Sequence, residues 1–243
     1  MRLLAHLSDL HFGRVEREVL ELLLRRVCEL RPHLVVISGD LTQRARARQF
    51  REARAFLDRL PRPQLVVPGN HDVPLYNVLA RFLRPFGGYR RFIATELEPG
   101  FVDDEIAVLG INSARSFVFK GGRVSEAQLE RVGRRFRDLD RVRIMVSHHP
   151  FTALERLDGC VDVFLAGHLH AARRTTGKSA LLVQAGTASS SRTRDAPNSF
   201  NLLRIAPRRI EVEEYVLRGG EFLPLSAEIF RRENGVWRHD GAA

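Results

Sequence analysis

Cysteine is nearly missing from this chain, with only Cys28 and Cys160 among 243 residues. The two lie far apart and match no paired spacing, which excludes a disulfide framework, a thiolate metal site and a redox pair. Cys28 falls on the apolar face of an expected helix, where a buried, inert thiol is the default. Lysine is as scarce: Lys120 and Lys178 are the only two, so arginine carries the net charge of +10. No run approaches the roughly 20 apolar residues that a membrane-crossing helix needs. The first apolar run starts at Leu3, too close to Met1 for a cleavable leader. These absences predict a cytoplasmic protein with no membrane partner. Repeats, linkers and low-complexity segments are missing too, so residues 1–243 read as a single domain, and 44% hydrophobic content suffices for a packed core.

The arginines are scattered over helices and mixed with acids, as in Arg17-Glu18 and Glu52-Ala53-Arg54. That pattern describes solvated helix faces more than a dedicated nucleic-acid surface, which stays open as an alternative. Either way, a positive field draws in phosphorylated molecules.

Short apolar runs alternate with helical patterns, the signature of a layered α/β domain. Strands are expected at residues 3–7, 34–37 and 64–67, with helices over 15–30 and 47–60 between them, the second closed by Pro61 and Pro63. Residues 74–92 interleave Tyr76, Phe82, Phe86, Tyr89 and Phe92 with arginines. They read as one amphipathic helix with its aromatics inward, or as a surface that stacks a base and holds a phosphate. A hairpin at 101–111 precedes a capping box, Ser125-Glu126-Ala127-Gln128, that opens a helix to about Leu139. Strands follow at 142–146 and 161–165, then antiparallel ones at about 180–217, with a polar loop over 186–199 and a loosely held tail after Arg231.

The apolar runs end in chemistry. Six of the nine histidines fall in Asp9-Leu10-His11, Gly69-Asn70-His71-Asp72, His148-His149 and Gly167-His168-Leu169-His170, joined by Gly39-Asp40. Every donor is a hard or borderline oxygen or nitrogen, which suits two divalent cations and metal-assisted hydrolysis of a phosphate ester. Residues i and i+2 of an extended strand share a side, so Asp9 with His11, and His168 with His170, can aim together. Open α/β sheets form their sites beyond the carboxyl ends of the strands, where all five motifs lie. Two close cations need a bridging anion, for which Asp40 is the natural candidate, while Asn70 adds a neutral oxygen. Two dications set against Asp9, Asp40 and a hydroxide leave one net positive charge, which still attracts a phosphodiester. Each motif alone is common; the weight lies in five of them, in order, at strand ends.

This ordered set resembles the calcineurin-like metallophosphoesterase superfamily, whose pattern is D-x-H, GD, GNH[DE], H and GHxH, and the likeness spans residues 9–170. It implies a sandwich of two mixed sheets flanked by helices, with the active site at the strand C-terminal ends. It also implies two divalent ions, Mn, Fe or Zn: one held by Asp9, His11 and His170, the other by Asn70, His148 and His168, with Asp40 between. His71 would then meet the scissile phosphate or protonate the leaving oxygen, and Asp72 would accept from one of its ring nitrogens. His149 is expected to project away from His148 and to line the site.

Within the superfamily, the GD-x-x-D-R-G motif of serine/threonine phosphatases and dinucleoside tetraphosphatases is replaced by Gly39-Asp40-Leu41-Thr42-Gln43-Arg44-Ala45. Lipid A pathway pyrophosphatases carry arginine where His71 stands, and double-strand-break repair nucleases carry a long extra region. The chain is most similar to bacterial class III cyclic nucleotide phosphodiesterases. That likeness implies attack on a phosphodiester by a hydroxide between the metals, with a 3′,5′-cyclic nucleotide as leading substrate. The alternatives are a broad phosphodiesterase or nuclease, or a non-catalytic binding module that keeps the fold. No pattern specifies an oligomeric state.

Overall fold

A computed structural model describes residues 1–118, 121–150, 154–157, 159–190 and 196–241. Lys120 and the middle of the 186–199 loop lie outside them. Two sheets face each other. In chain order the strands are β1 (Arg2–Leu7), β2 (Leu34–Ile37), β3 (Gln64–Val66), β4 (Gly100–Val102), β5 (Ile106–Ile111), β6 (Val142–Ser147), β7 (Val163–Ala166), β8 (Arg173–Thr176), β9 (Leu181–Gln184), β10 (Ser199–Ala206), β11 (Arg209–Arg218), β12 (Glu221–Glu233) and β13 (Val236–His239). The seven-stranded sheet runs β13-β12-β11-β10-β1-β2-β3, and the six-stranded one β4-β5-β6-β7-β9-β8.

β1, β2 and β3 pair in parallel, as do β5, β6, β7 and β9. Strands buried on both faces read as continuous apolar runs, and these do. Leu4, Val36, Ile144, Val146, Leu165 and Val183 point between the sheets, in a core that Phe230 and Trp237 extend. Alternate residues point outward: Ala5, Val35 and Ile37 pack under α1 (Arg17–Leu30) and α2 (Ala47–Leu57), and Ala107, Leu109 and Met145 under α5 (Glu126–Phe136). α1 buries Val19, Leu20, Leu23, Leu24 and Val27. At about 1.5–3 kcal/mol for each such side chain, this stripe outweighs surface pairs such as Arg48–Glu52, worth about 0–1 kcal/mol. α5 opens on the expected capping box, with the Ser125 amide donating to Gln128 Oε1 at 2.8 Å.

Several expectations need correction. Residues 74–92 form two short helices, α3 (Val78–Leu83) and α4 (Gly87–Phe92). Pro85 lies between them, and a proline cannot continue a helix. The aromatics split as well: Tyr89 is buried, while Tyr76 and Phe82 are exposed. The strand at 181–184 is not purely antiparallel, since β9 pairs in parallel with β7 and antiparallel only with β8, a strand too polar to stand out by pattern. The tail after Arg231 is held: β12 and β13 pair through His239, because Phe230 and Trp237 bury into the core. Cys28 is exposed rather than buried, beyond the edge of the α1 stripe.

Candidate metal centre

The parallel strands of both sheets deliver the motifs to one place. The ends of β1 and β2 meet those of β6 and β7, with Asp9 Oδ1 and Asp40 Oδ2 each 3.3 Å from a histidine Nε2, of His170 and His148 respectively. The ligands do not ride on the strands as simple alternation predicts. β1 ends at Leu7, and Asp9, His11, Asp40, His168 and His170 all take left-handed backbone, with φ of 55°, 51°, 52°, 72° and 60°. Such non-glycine conformations cost about 1–3 kcal/mol each unless the surroundings over-determine them. Here they do: Asp9 N donates to Gly39 O, His11 N to Asp40 O and Phe12 N to Leu41 O, lacing the two loops together.

One cluster joins Asp9, His11 and His170. Their donor atoms stand 3.3 to 3.5 Å apart. Donors about 2.1 Å from a common ion, at a tetrahedral angle, stand about 3.4 Å from one another. Asp9 Oδ2 is occupied, accepting from Ser8 Oγ at 2.7 Å and from the His168 amide at 3.0 Å. Asp9 Oδ1, facing the cluster, is buried and accepts no hydrogen bond among the described residues. The second cluster holds Asn70, His148 and His168. His148 Nδ1 donates to Ser38 O at 2.8 Å, which turns Nε2 inward, 3.2 Å from Asn70 Oδ1. The His168 ring lies edge-on to that of His148, with centroids 5.2 Å apart.

Asp40 stands between the clusters. Its Oδ2 is 3.3 Å from His148 Nε2 and 3.7 Å from His11 Nε2, while its Oδ1 accepts from the His71 amide at 2.8 Å. Close packing enforces this: a Cβ on Gly69 would come within 2.1 Å of Asp40 Oδ1, and one on Gly167 within 1.8 Å of Ser8 Oγ.

Electrostatics point the same way. Burial alone would raise both carboxyls, yet the surrounding histidines prevail: Asp9, against His11 and His148, falls to about 2, and Asp40 lies well below the usual range. Burial disfavours a charged His148, but Asp40 lifts it to about 9. Burial first, and the His148 charge second, lower His168 to about 4 and His149 to about 2. Without an ion the pocket therefore keeps a proton on His148, which a cation would displace.

Residues 3–172 match the pattern of the calcineurin-like phosphoesterases. The chain belongs to the calcineurin-like phosphoesterase family. Phosphoesterases of this family use two divalent metal ions, and the two donor clusters with a shared carboxylate fit such a pair. Among relatives, the glycerophosphodiester phosphodiesterase GpdQ of Enterobacter lignolyticus (strain SCF1) is 35% identical over 82 residues, 29% of either chain. Similar solved folds include the purple acid phosphatase PPD1 from yellow lupin (Lupinus luteus) seeds. It has a TM-score of 0.72 at 12% identity, over 96% of this chain and 54% of that one. Chaetomium thermophilum Vps29 has a TM-score of 0.55 at 17% identity, over 96% and 98%. At such identities these likenesses concern the fold. This calcineurin-like chain thus spans about half the length of the plant phosphatase and matches under a third of GpdQ.

Two placements differ from expectation. His149 does not project away: the chain bends after β6, so strand alternation stops, and its ring lies 4.5 Å from that of His168. Its Nδ1 meets Ser113 Oγ at 2.9 Å, and its buried Nε2 has no hydrogen-bond partner among the described residues. For His71, the carbonyl of Gln43 receives the Nδ1 proton at 2.9 Å. Asp72 instead accepts from the amides of Gly69, Leu41 and Thr42 and from the Thr42 hydroxyl, tying two loops together.

Sequence reasoning missed the residues that hold the site side chains. Ser8, Ser38 and Thr187 fix the candidate ligands Asp9, His148 and His170, Thr187 Oγ1 meeting His170 Nδ1 at 2.7 Å, while Gln43 and Ser113 fix His71 and His149. The one available signal was the run of small polar residues from Gly186 to Ser190, directly after β9.

Proposed function

We propose that this chain is a metal-dependent phosphodiesterase acting by in-line displacement at phosphorus, with a 3′,5′-cyclic nucleotide as leading substrate. We place it in the cytoplasm, with residues 1–243 acting as one unit. The observation that carries this reading is the position of Asp40, whose Oδ2 lies within 4 Å of a histidine from each cluster.

Asp9, His11 and His170 would hold one ion, and Asn70, His148 and His168 the other, with Asp40 shared. When bound, the ions supply an activated water and offset the charge that builds on phosphorus. Mn, Fe and Zn all suit nitrogen and oxygen donors. The protein supplies aim. Because Gln43 O takes the Nδ1 proton of His71, the far edge of that ring carries Nε2, the nitrogen placed to donate to an ester oxygen. That ring stands edge-on to His11, with centroids 4.9 Å apart, which sets it beside the clusters. Asp72 acts through the loop by fixing where His71 sits. His149 lines the opposite side, where its Nε2 would face a phosphate oxygen.

A diester is supported by the GpdQ likeness and by the contexts shared with class III cyclic nucleotide phosphodiesterases: Gly39-Asp40-Leu41-Thr42, Gly69-Asn70-His71-Asp72 and His148-His149-Pro150. The intact donor set favours catalysis over a silent binding module. A second reading, cleavage of nucleic acid, draws on the net charge of +10. Against it, many arginines are paired, among them Arg59 with Glu21, Arg174 with Glu214 and Glu228, and Arg204 with Glu211 and Glu213. The test is turnover of a chromogenic diester with Mn(II), followed by a panel of cyclic nucleotides, dinucleotides and single-stranded DNA. No turnover of any diester refutes the phosphodiesterase reading. Turnover of other diesters but not of cyclic nucleotides refutes only the substrate, and salt-sensitive cleavage of DNA establishes the second reading.

A further inference from the structure

α3 is built inside out. Its one charged residue, Arg81, is 2% exposed, while Leu79 and Leu83 are each 70% exposed. The buried guanidinium is well satisfied, donating to the carbonyls of Ser116, Pro74 and Val118. Those bonds pin residues 116–118 beside the helix and bring Phe117, 83% exposed, against Phe82 with ring centroids 5.0 Å apart. Together with Tyr76 and Val78, six large apolar side chains on and beside α3 stand in solvent. Contiguous apolar patches of this kind mark binding surfaces.

The chain segments that form or border the patch carry one sign of charge. No acid occurs between Asp72 and Glu96, between Glu105 and Glu126, or between Asp40 and Glu52. These three segments form or border the patch, and their cations include Arg84, which ends α3, and Arg44, which stacks on the Tyr76 ring at 5.6 Å. A second copy of the chain is a poor cover, because a two-fold contact sets arginines against arginines. A substrate base is too small, since it would cover a ring or two and leave Val78, Leu79 and Leu83 wet. An anionic bilayer matches both features: apolar side chains enter the headgroup layer while arginines meet lipid phosphates.

We propose that the face made by α3 and residues 116–118 docks this protein on an anionic phospholipid surface. The contact is peripheral and involves no crossing, so it revises only the expectation that no membrane partner exists. It is independent of which ester is cleaved. The patch begins four residues after Asp72, and Arg44 follows the residue that holds His71, so the docking face is joined directly to the loops of the metal centre.

The test is co-sedimentation of the full chain with vesicles of phosphatidylcholine containing phosphatidylglycerol, compared with phosphatidylcholine alone. The paired substitution Leu79→Ser and Leu83→Ser leaves the charge unchanged and touches only exposed positions. The expected result is sedimentation with the anionic vesicles, weakened by about tenfold or more in the double variant, with circular dichroism and metal content unaltered. Three results overturn the proposal. They are no sedimentation with anionic vesicles, equal sedimentation of the variant, and a dimer in solution that the variant converts to monomer.

Discussion

The backbone amide of His71 donates to Asp40 Oδ1 at 2.8 Å, so the residue proposed to meet the substrate also fixes the carboxylate proposed to join the two ions. The bond runs through the main chain of His71, which leaves its imidazole dispensable for ion binding. His71→Ala is therefore expected to keep both ions by elemental analysis while lowering kcat by about 10²–10⁴-fold. Asp40→Asn keeps the acceptor but loses the charge, and should lose metal and turnover together. Loss of metal in the His71 variant would refute this separation.

Thr187 lies in the polar loop after β9 and carries no ligand atom in this scheme, yet its hydroxyl meets His170 Nδ1 at 2.7 Å. Removing such a support typically weakens metal affinity by 10–100-fold. Thr187→Val keeps the shape but removes the hydroxyl partner of the buried His170 Nδ1, so the metal-free protein should also lose about 1–3 kcal/mol in thermal unfolding. Titration with Mn(II) should show weakening by about that factor, with Thr187→Ser restoring most of it.

Gly167 packs where a Cβ would fall 1.8 Å from Ser8 Oγ and 2.7 Å from Asp9 Oδ2. Gly167→Ala must push back the loop carrying Asp9, at about 1–3 kcal/mol of strain. The expected signature is a lower melting temperature together with impaired loading of the ion shared by Asp9, His11 and His170. Shortening the obstacle with Ser8→Gly in the same chain should recover part of the stability.

His6 gives the metal-free protein a pH dependence. It is fully buried on β1, where Ser38 Oγ, which donates to Leu7 O, stands 2.9 Å from Nε2, while Nδ1 has no hydrogen-bond partner among the described residues. Burial holds its pKa down at about 3, against 6.5 in an ordinary histidine. Between those values the unfolded chain binds the extra proton, so stability from this group is complete above pH 6.5 and is lost as pH falls toward 3. The loss from pH 7 to pH 5 is about 2 kcal/mol. Urea titrations of chelator-treated protein should show that difference shrinking by about this amount in His6→Asn.

What the sequence alone determined is which donor side chains close the apolar runs, and in what order. Asp9, His11, Asp40, Asn70, His148, His168 and His170 are legible as candidate ligands because donor type is written in the side chain and the end of an apolar run marks the end of a strand. The layered α/β character follows from the same runs, since strands buried on both faces leave a mark of period and composition, whereas the two-sheet sandwich was implied only by the family likeness. The tertiary structure decided the rest. The left-handed turns at five ligands, the hold of Thr187 on His170 and of Gln43 on His71, and the inward turn of His149 depend on loops that meet only after folding. Ser189, for example, bonds the carbonyl of Leu10 across 179 positions. Periodicity reports how one segment divides its own faces, not what the neighbouring segment offers. That is why residues 74–92 read as one helix with its aromatics inward when the apolar face of α3 points outward, and why a tail of mixed polarity proves to be a strand pair anchored by Phe230 and Trp237.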